Sequence, residues 1–502
     1  MSNPQPEPPI VDPAPSKSGP RVARLFHRCV GVVGAAAFLS LLSQLDVLLG
    51  AQGLRPVAEL IARARAQELG ILELPTLFWL SSSDAALHSC ATLGALSCVL
   101  AATGMWPRVC LPLAALLYQS FAAVGDAFLA FQWDNMLVEV LLLSAFVPSD
   151  RPSPGAHLVM RLMLFKLYFE SGIAKWQSHL GDWHDGSAMT FYYETAPLPA
   201  PLAWHAHHLP ESWHRLESWF ALVLELLIPF LIFGPRWGRL TAFASFTLFQ
   251  IVNTATANYG FFTYLSVTLH LFLLSDADLA ATAATLRSRL GFGGTGADGH
   301  TPAAAASMTV PDIRRRLQAG ALRALSGGWV IASLAGAAVH FGGDGALASA
   351  ARPLYGQLSP LRVANVYHLF GHITRQRIEP EFQTLGEAGW SGHDLHHKPG
   401  DLRRGPPLVA PHQPRVDFRL WFYGLGHRRG LPRYVRSVLE KLCESPQVVQ
   451  PLFVSRLPAA PDAVRIQLYR YHFTDPDQRA ATGAIWQRTA EAVVGPIRCR
   501  PR

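Results

Sequence analysis

The first two thirds of the chain consist of long apolar blocks separated by short polar stretches. Three blocks, at 29–45, 85–104 and 216–234, contain few or no charged residues. Each approaches the roughly 20 residues that a helix needs to cross about 30 Å of hydrocarbon. Further candidate blocks are 109–131, 135–147, 157–174, 239–256, 260–274 and 327–341. The pattern predicts a membrane α-helical bundle of about six to nine spans, with a multi-span domain at 21–275 and a last candidate span at 326–342.

After residue 345 the apolar residues occur in short runs that are interrupted by Gly, Pro and Asp. The run "RIQLYRYHF" alternates with a period of two, as expected for a half-buried strand. The stretch 431–455 has a helical pattern instead, with Pro432 and Pro446 as its boundaries. We therefore predict a soluble mixed α/β domain over 345–495.

Three segments interrupt this organisation. Residues 1–20 are rich in proline and poor in apolar side chains, which predicts a disordered tail. Residues 276–325 are rich in Ala, Gly, Thr and Arg, which predicts a flexible loop. The loop 176–215 combines Trp, Tyr, His and Pro between two apolar blocks, which is typical of a structured segment at the membrane interface.

Composition and charge support a membrane protein. Apolar and aromatic residues make up 50% of the chain and charged residues 16%. The net charge of +8 is contributed by basic residues that lie beside the ends of apolar blocks, as in 21–28 and 314–316. This placement favours anionic lipid and membrane topology. Nucleic acid is not expected as a partner, because no basic module with interleaved aromatic residues appears.

The six cysteines do not form the regular framework of a disulfide-rich protein. Cys29, Cys90, Cys98 and Cys110 fall in or near apolar blocks. Cys443 and Cys499 lie in the soluble domain and could pair if that domain faces an oxidising compartment.

Charged residues inside apolar blocks are costly, so they either pair within the bundle or serve a function. Lys166 and Glu170 are four residues apart, which predicts an ion pair on one helix face. Asp134 could cap a helix that begins at 135, and Glu139 follows it in the same block. A path for protons or substrate through these carboxylates is the alternative.

The sequence offers little support for an enzyme. It contains no GxSxG elbow, Walker A loop, dinucleotide fingerprint or HExxH motif. The histidines at 205–214 and 393–397 match no closed tetrahedral zinc motif, so we expect neither a metal nor a cofactor. The catalytic alternative is Lys175 as a buried base, with Glu170 tuning its proton affinity.

Several segments together resemble the blocks of the lipase maturation factor family. They include "FQWDNMLVEVLLL", "YYETAPLPAPLAWHAHHLP", "ELLIPFLIFGPRWGRL", "KPGDLRRGPPLVAPHQPRVDFRLWF" and "RIQLYRYHFT", and they occur in consistent order from about 40 to 490. The candidate structural or functional residues in the second and fourth of these segments are Tyr193, Glu194, Pro197, Pro199, His207, His208, Pro411, His412 and Gln413.

This resemblance implies a multi-span protein of the endoplasmic reticulum membrane in animals, with its C-terminal domain in the lumen. Its function would be the folding and assembly of secreted lipases, which would be its client partners. The composition here, rich in Arg and Ala, looks bacterial. The corresponding location would be the inner membrane, with the C-terminal domain in the periplasm.

A local resemblance points to a different class of protein. The stretch "YFESGIAKWQSHLGDWHDGSAM" is similar to the membrane segment of vitamin K-dependent gamma-carboxylases. In that family a lysine just after a glycine is the catalytic base, and it corresponds to Lys175. The implied alternative function is an integral membrane enzyme of carboxylase-like type.

Overall fold

A computed structural model describes residues 20–289 and 312–500. The predicted disordered tail lies outside the described residues except for Pro20, with which the first helix begins. Residues 290–311, in the middle of the predicted flexible loop, also lie outside them.

The N-terminal part of the chain is helical. Its α-helices are α1 Pro20–Leu42, α2 Leu45–Leu49, α3 Val57–Ala66, α4 Asp84–Thr103, α5 Pro107–Val124, α6 Gln132–Leu143, α7 Pro154–Trp176, α8 Ala188–Thr195, α9 Ala203–His207, α10 Glu211–Leu226, α11 Arg236–Thr256, α12 Phe262–His270 and α13 Asp276–Arg289. After the undescribed segment come α14 Asp312–Phe341 and α15 Ala346–Leu358, which pack on each other.

Five helical segments of the described residues are long and apolar enough to cross a membrane. They are Pro20–Leu42, Asp84–Thr103, Pro107–Val124, Glu211–Phe233 and Arg323–Phe341. A sixth span is possible if the bent pair Phe262–Leu273 and Asp276–Arg289 acts as one. Five spans are one fewer than the predicted minimum of six, and only the count that includes the bent pair reaches it. One reason is that the predicted span at 135–147 contains a helix of 12 residues, which is too short to cross the hydrocarbon alone.

Helical structure extends into the segment 276–325 from both sides. Helix α13 occupies its first residues, with Asp276 accepting hydrogen bonds from the free backbone N–H groups of Arg21 and Val22 at the start of α1. Helix α14 begins at Asp312, well before the predicted last span. The described ends of the predicted loop are therefore helices.

The C-terminal part combines an antiparallel sheet with helices. The strands are β1 Arg377–Gly386, β2 Gly389–His393, β3 Ala463–Phe473 and β4 Trp486–Arg498, in the order β2-β1-β3-β4. The helices are α16 Arg415–Gly426, α17 Arg433–Glu444, α18 Pro446–Val449 and α19 Pro476–Thr482. The run "RIQLYRYHF" lies within β3, and α17 begins directly after Pro432, as predicted.

One apolar core connects the two parts. It extends from Val22 and Phe26 on α1 to Val464 and Ile466 on β3 without interruption. Helices α16 and α17 pack against β1 and β3, and α16 also contacts the short 3-10 turn Asp126–Phe128 of the helical part. The sheet domain is therefore packed firmly against the membrane body.

Cys443 at the end of α17 and Cys499 just after β4 form a disulfide. The other four cysteines are free thiols on α1, α4 and α5. The bridge closes a long loop, with a sequence separation of 56 residues, between a helix and the last strand of the sheet.

We expect the double substitution Cys443→Ala and Cys499→Ala to lower the free energy of unfolding of the sheet domain by about 3 kcal/mol, since a crosslink restricts the unfolded chain. The comparison is thermal unfolding of the purified protein with and without a reducing agent. Reduction should destabilise the parent protein and leave the double variant unchanged. Equal behaviour of the parent under both conditions would contradict the bridge.

Candidate functional site

A buried ion pair joins the sheet domain to the membrane body. The guanidinium of Arg415, the first residue of α16, contacts both carboxylate oxygens of Asp134 on α6, at 3.0 and 2.9 Å. Both side chains are fully buried. The Tyr118 hydroxyl donates to Asp134 (2.6 Å) and accepts from Arg415 (2.9 Å). This bidentate geometry gives the pair strength and a fixed orientation.

The predicted capping role of Asp134 is wrong. Helix α6 begins at Gln132, so Asp134 lies inside its first turn and not at the N-cap. Its carboxylate instead meets Arg415, which is 281 residues away in the sequence. Local spacing could not reveal a partner so distant along the chain.

A second buried carboxylate, Glu139, connects four parts of the chain. It accepts hydrogen bonds from the side chains of Lys166 (2.9 Å), Trp329 (2.8 Å) and Tyr367 (2.7 Å). It also accepts from the backbone and side-chain N–H groups of Asn365. These five bonds join α6, α7, the last candidate span and the segment that leads into the sheet domain.

The predicted ion pair between Lys166 and Glu170 is not formed. Lys166 pairs with Glu139 and also donates to Ser333 at 3.1 Å. Glu170 instead accepts from the backbone N–H of Tyr367 at 2.8 Å. The spacing correctly places both residues in the interior, but their nearest partners lie on other elements.

The loop 176–215 is the surface on which the sheet domain rests. Arg377 at the start of β1 donates to the backbone carbonyls of Glu194 (3.0 Å), Ala196 (2.5 Å) and Pro197 (3.2 Å). The Glu194 carboxylate accepts from the backbone N–H of Phe473 (2.8 Å) and contacts the His472 ring (2.9 Å). In each of these hydrogen bonds the donor lies on the sheet domain and the acceptor on the loop.

Arg377 belongs to a buried charge cluster. Glu379 contacts Arg377 at 2.6 Å and Lys398 at 2.8 Å, and all three side chains are almost completely buried. Lys398 also donates to the carbonyl of Pro197 at 3.3 Å. Burial lowers the pKa of Lys398 to about 8, whereas burial raises the pKa of the nearby Asp417 to about 6.

Pro199, His207 and His208, which lie in the same loop, each contact another residue of the chain. The side chain of Asn258 donates to the Pro199 carbonyl at 3.0 Å and accepts from the backbone N–H of Val409 at 2.7 Å. His207 lies 3.7 Å from Glu194, and the His208 ring contacts the Trp204 carbonyl at 2.7 Å.

The segment Pro411-His412-Gln413 contacts the end of α1. The His412 ring is 3.0 Å from the Ser40 hydroxyl, which also accepts from the backbone N–H of Gln413 at 2.9 Å. Burial lowers the pKa of His412 to about 4, so the ring is neutral at pH 7. The peptide bond before Pro411 is cis. These three residues therefore help to fix the entry into α16.

Lys175 is buried and paired. Its ammonium lies 2.7 Å from Glu225 on α10 and donates to the carbonyl of Leu369 at 2.8 Å. It also lies above the ring of Trp183. The partner of Lys175 is thus Glu225. Glu170, which the sequence suggested as the group that shifts the proton affinity of Lys175, makes no direct contact with it among the described contacts. Tyr193 is nearby and donates to Glu217 at 3.0 Å.

The described residues contain no group of three His, Cys, Asp or Glu side chains placed to hold a metal ion. Sequence reasoning missed the basic partners of this boundary, Arg377, Lys398 and Arg415, and the carboxylate partner Glu225. A signal existed for Arg415 in the run "QPRVDFRLWF", where a charge at the start of an apolar helix has no local partner.

The fold and these contacts define an integral membrane protein whose helical body carries a docked C-terminal sheet domain. Two family models match it: a lipase maturation factor transmembrane domain at residues 21–281 and a lipase maturation factor C-terminal domain at 363–496. The chain therefore belongs to the lipase maturation factor family.

Curated relatives match over nearly the whole chain. "Lipase maturation factor 2" of Homo sapiens is 30% identical, covering 94% of this chain and 82% of the relative. "Lipase maturation factor 1" of Bos taurus is 29% identical, with coverages of 92% and 86%. Neither these relatives nor the family models support the carboxylase-like alternative. No solved structure matches the chain significantly.

Proposed function

We propose that this protein is a membrane-embedded maturation factor that assists the folding of exported lipases. The observation that carries this proposal is the match of both family domains, in order, to the two parts of the chain. The names of the relatives supply the client class. We assign recognition of the client to the sheet domain, because the outer side of its edge strand β4 pairs with no other described strand.

Strand β4 is the candidate contact for the client. It is 13 residues long, lies at the edge of the sheet and pairs with no other described strand on its outer side. Val493 and Ile497 are among its exposed residues. An extended segment can add to such an edge through backbone hydrogen bonds, whatever its exact sequence. An incompletely folded lipase offers segments of this kind.

The disulfide supports one of the two possible orientations of the sheet domain. Disulfides persist in oxidising compartments, so the Cys443–Cys499 bridge supports a sheet domain on the non-cytoplasmic side of the membrane. That side is the lumen of the endoplasmic reticulum in an animal cell and the periplasm for a bacterial inner membrane. We place this chain in a bacterial inner membrane, on the basis of its Arg- and Ala-rich composition.

The client contact is tested by photo-crosslinking in cells that export a lipase. A photoreactive amino acid at position 493 should crosslink to the newly exported lipase. Val454 is the matched control, because it is a valine of the same domain with similar exposure, 53% against 49%, and lies outside the sheet. Equal crosslinking at 454 and 493, or none at 493, would refute the assignment of β4.

A further inference from the structure

An open cavity lies in the membrane body between α7, α10 and α11. Its volume is about 130 Å³. Apolar and aromatic side chains dominate its wall, among them Trp183, Phe220, Phe249, Phe262 and Phe370. The cavity is therefore suited to an apolar chain.

Two apolar residues that line the cavity are exposed on the outside of the helical body. Phe220 on α10 and Val252 on α11 line the cavity and are 50% and 42% exposed. Leu216 and Val223, which lie on the same candidate span as Phe220, are also exposed. Exposed apolar side chains on a spanning helix contact the acyl chains of the membrane. Membrane lipids consequently have lateral access to the cavity.

The buried ammonium in the cavity is balanced by a carboxylate. Lys175 is neutralised by Glu225 at 2.7 Å, and Glu217 lies beside His214 at 3.3 Å. An anionic head group would have to compete with Glu225 for the buried ammonium. Burial of an uncompensated charge is expensive, so an uncharged ligand is favoured.

Two unmet hydrogen-bonding groups line the cavity. Gln250 is 3% exposed and donates to Tyr168, but its side-chain carbonyl oxygen has no hydrogen-bond partner among the described residues. The hydroxyls of Tyr192 and Tyr259 bond to each other, so one of their two hydrogens has no acceptor in the part of the chain that the structure describes. A buried acceptor and a buried donor are both costly when unpaired. A hydroxyl group supplies a donor and an acceptor together.

We propose that this cavity binds an uncharged, hydroxyl-bearing lipid of the surrounding membrane, of the monoacylglycerol class. The acyl chain lies against the aromatic wall and extends to the mouth between Phe220 and Val252. The glycerol hydroxyls bond to Gln250 and to the Tyr192–Tyr259 pair. This site does not depend on the identity of the client protein.

The test uses the full-length protein in nanodiscs and radiolabelled 1-oleoylglycerol as the probe, with oleate and lysophosphatidylglycerol as anionic comparisons. We expect saturable binding of 1-oleoylglycerol that is tighter than that of either anion. The variants Gln250→Leu and Tyr259→Phe should each weaken it about five- to tenfold, the loss expected from one hydrogen bond.

Tyr264→Phe is the matched control, because Tyr264 is 39% exposed on α12 and does not line the cavity. It should bind like the parent. The proposal is overturned if binding of 1-oleoylglycerol is not saturable or if either anion binds equally well. It is also overturned if both cavity variants bind 1-oleoylglycerol as tightly as the parent does. The relative affinities of the parent protein for the three lipids test the proposal even if a variant fails to fold.

Discussion

Substitution of Arg415 by methionine is expected to lower the free energy of unfolding by about 3–5 kcal/mol, because it leaves the buried Asp134 carboxylate without a compensating charge. Methionine keeps much of the length of the side chain, so the lost volume is small. Arg415 also donates to the Phe128 carbonyl at 2.7 Å, a bond that the variant loses. The measurement is thermal unfolding in detergent, followed by tryptophan fluorescence.

An exposed ion pair provides the control for this prediction. Arg215 contacts Glu211 at 2.8 Å, and their side chains are 57% and 69% exposed. Arg215→Met should change stability by less than about 0.5 kcal/mol. Adding Asp134→Asn to Arg415→Met should recover part of the lost stability, since no buried charge then remains. Equal effects of Arg415→Met and Arg215→Met would contradict the structural role of the buried pair.

Glu139→Gln should also destabilise the protein by about 3–4 kcal/mol. The variant leaves the Lys166 ammonium buried without a carboxylate. In addition, Glu139 accepts from five donors, whereas a glutamine amide has one oxygen and itself donates. Some of the bonds to Trp329, Asn365 and Tyr367 must therefore be lost. We expect the connection between α14 and the sheet domain to loosen.

Limited proteolysis resolves where this loosening occurs. Cleavage between α14 and β1 should become faster in Glu139→Gln, and the melting temperature should fall. Glu211→Gln is the matched control, because it makes the same chemical change at an exposed carboxylate. Unchanged cleavage in Glu139→Gln would show that Glu139 does not hold this boundary.

The sequence predicted the membrane body well because apolar block length responds to one dominant physical constraint. A helix must cover the hydrocarbon thickness, and the blocks at 29–45, 85–104 and 216–234 correspond to three of the candidate spans. The prediction was weaker for 135–147 and 260–274. There the apolar residues are buried by protein neighbours in short helices, a cause that hydropathy cannot distinguish from contact with lipid.

The pairing of buried charges was predicted incorrectly for a different reason. The cost of burying a charge drew attention to Lys166 and Asp134, and an interior partner was expected for Lys166. Their partners Glu139 and Arg415, however, lie on elements that only the tertiary fold brings together. Helical spacing tests neighbours three or four residues apart, so it selected Glu170 and a local cap.

Local sequence patterns also did not predict the boundary between the membrane body and the sheet domain. The loop 176–215 reads as an interfacial segment because of its aromatic and His residues, but its backbone carbonyls bind Arg377 of the sheet domain. Glu194, Pro197 and Pro199 were singled out by family resemblance alone. Glu194 and Pro197 each have a contact across the boundary. The carbonyl of Pro199 instead accepts from Asn258 of the membrane body.

We infer that this protein increases the folded fraction of exported lipase through the edge of its sheet domain. The direct measurement is the activity per molecule of exported lipase in cells with the gene deleted and in cells complemented by the parent, Val493→Lys or Val454→Lys. We predict that deletion lowers this specific activity, that the parent and Val454→Lys restore it, and that Val493→Lys does not. The same specific activity with and without the protein would contradict the claim.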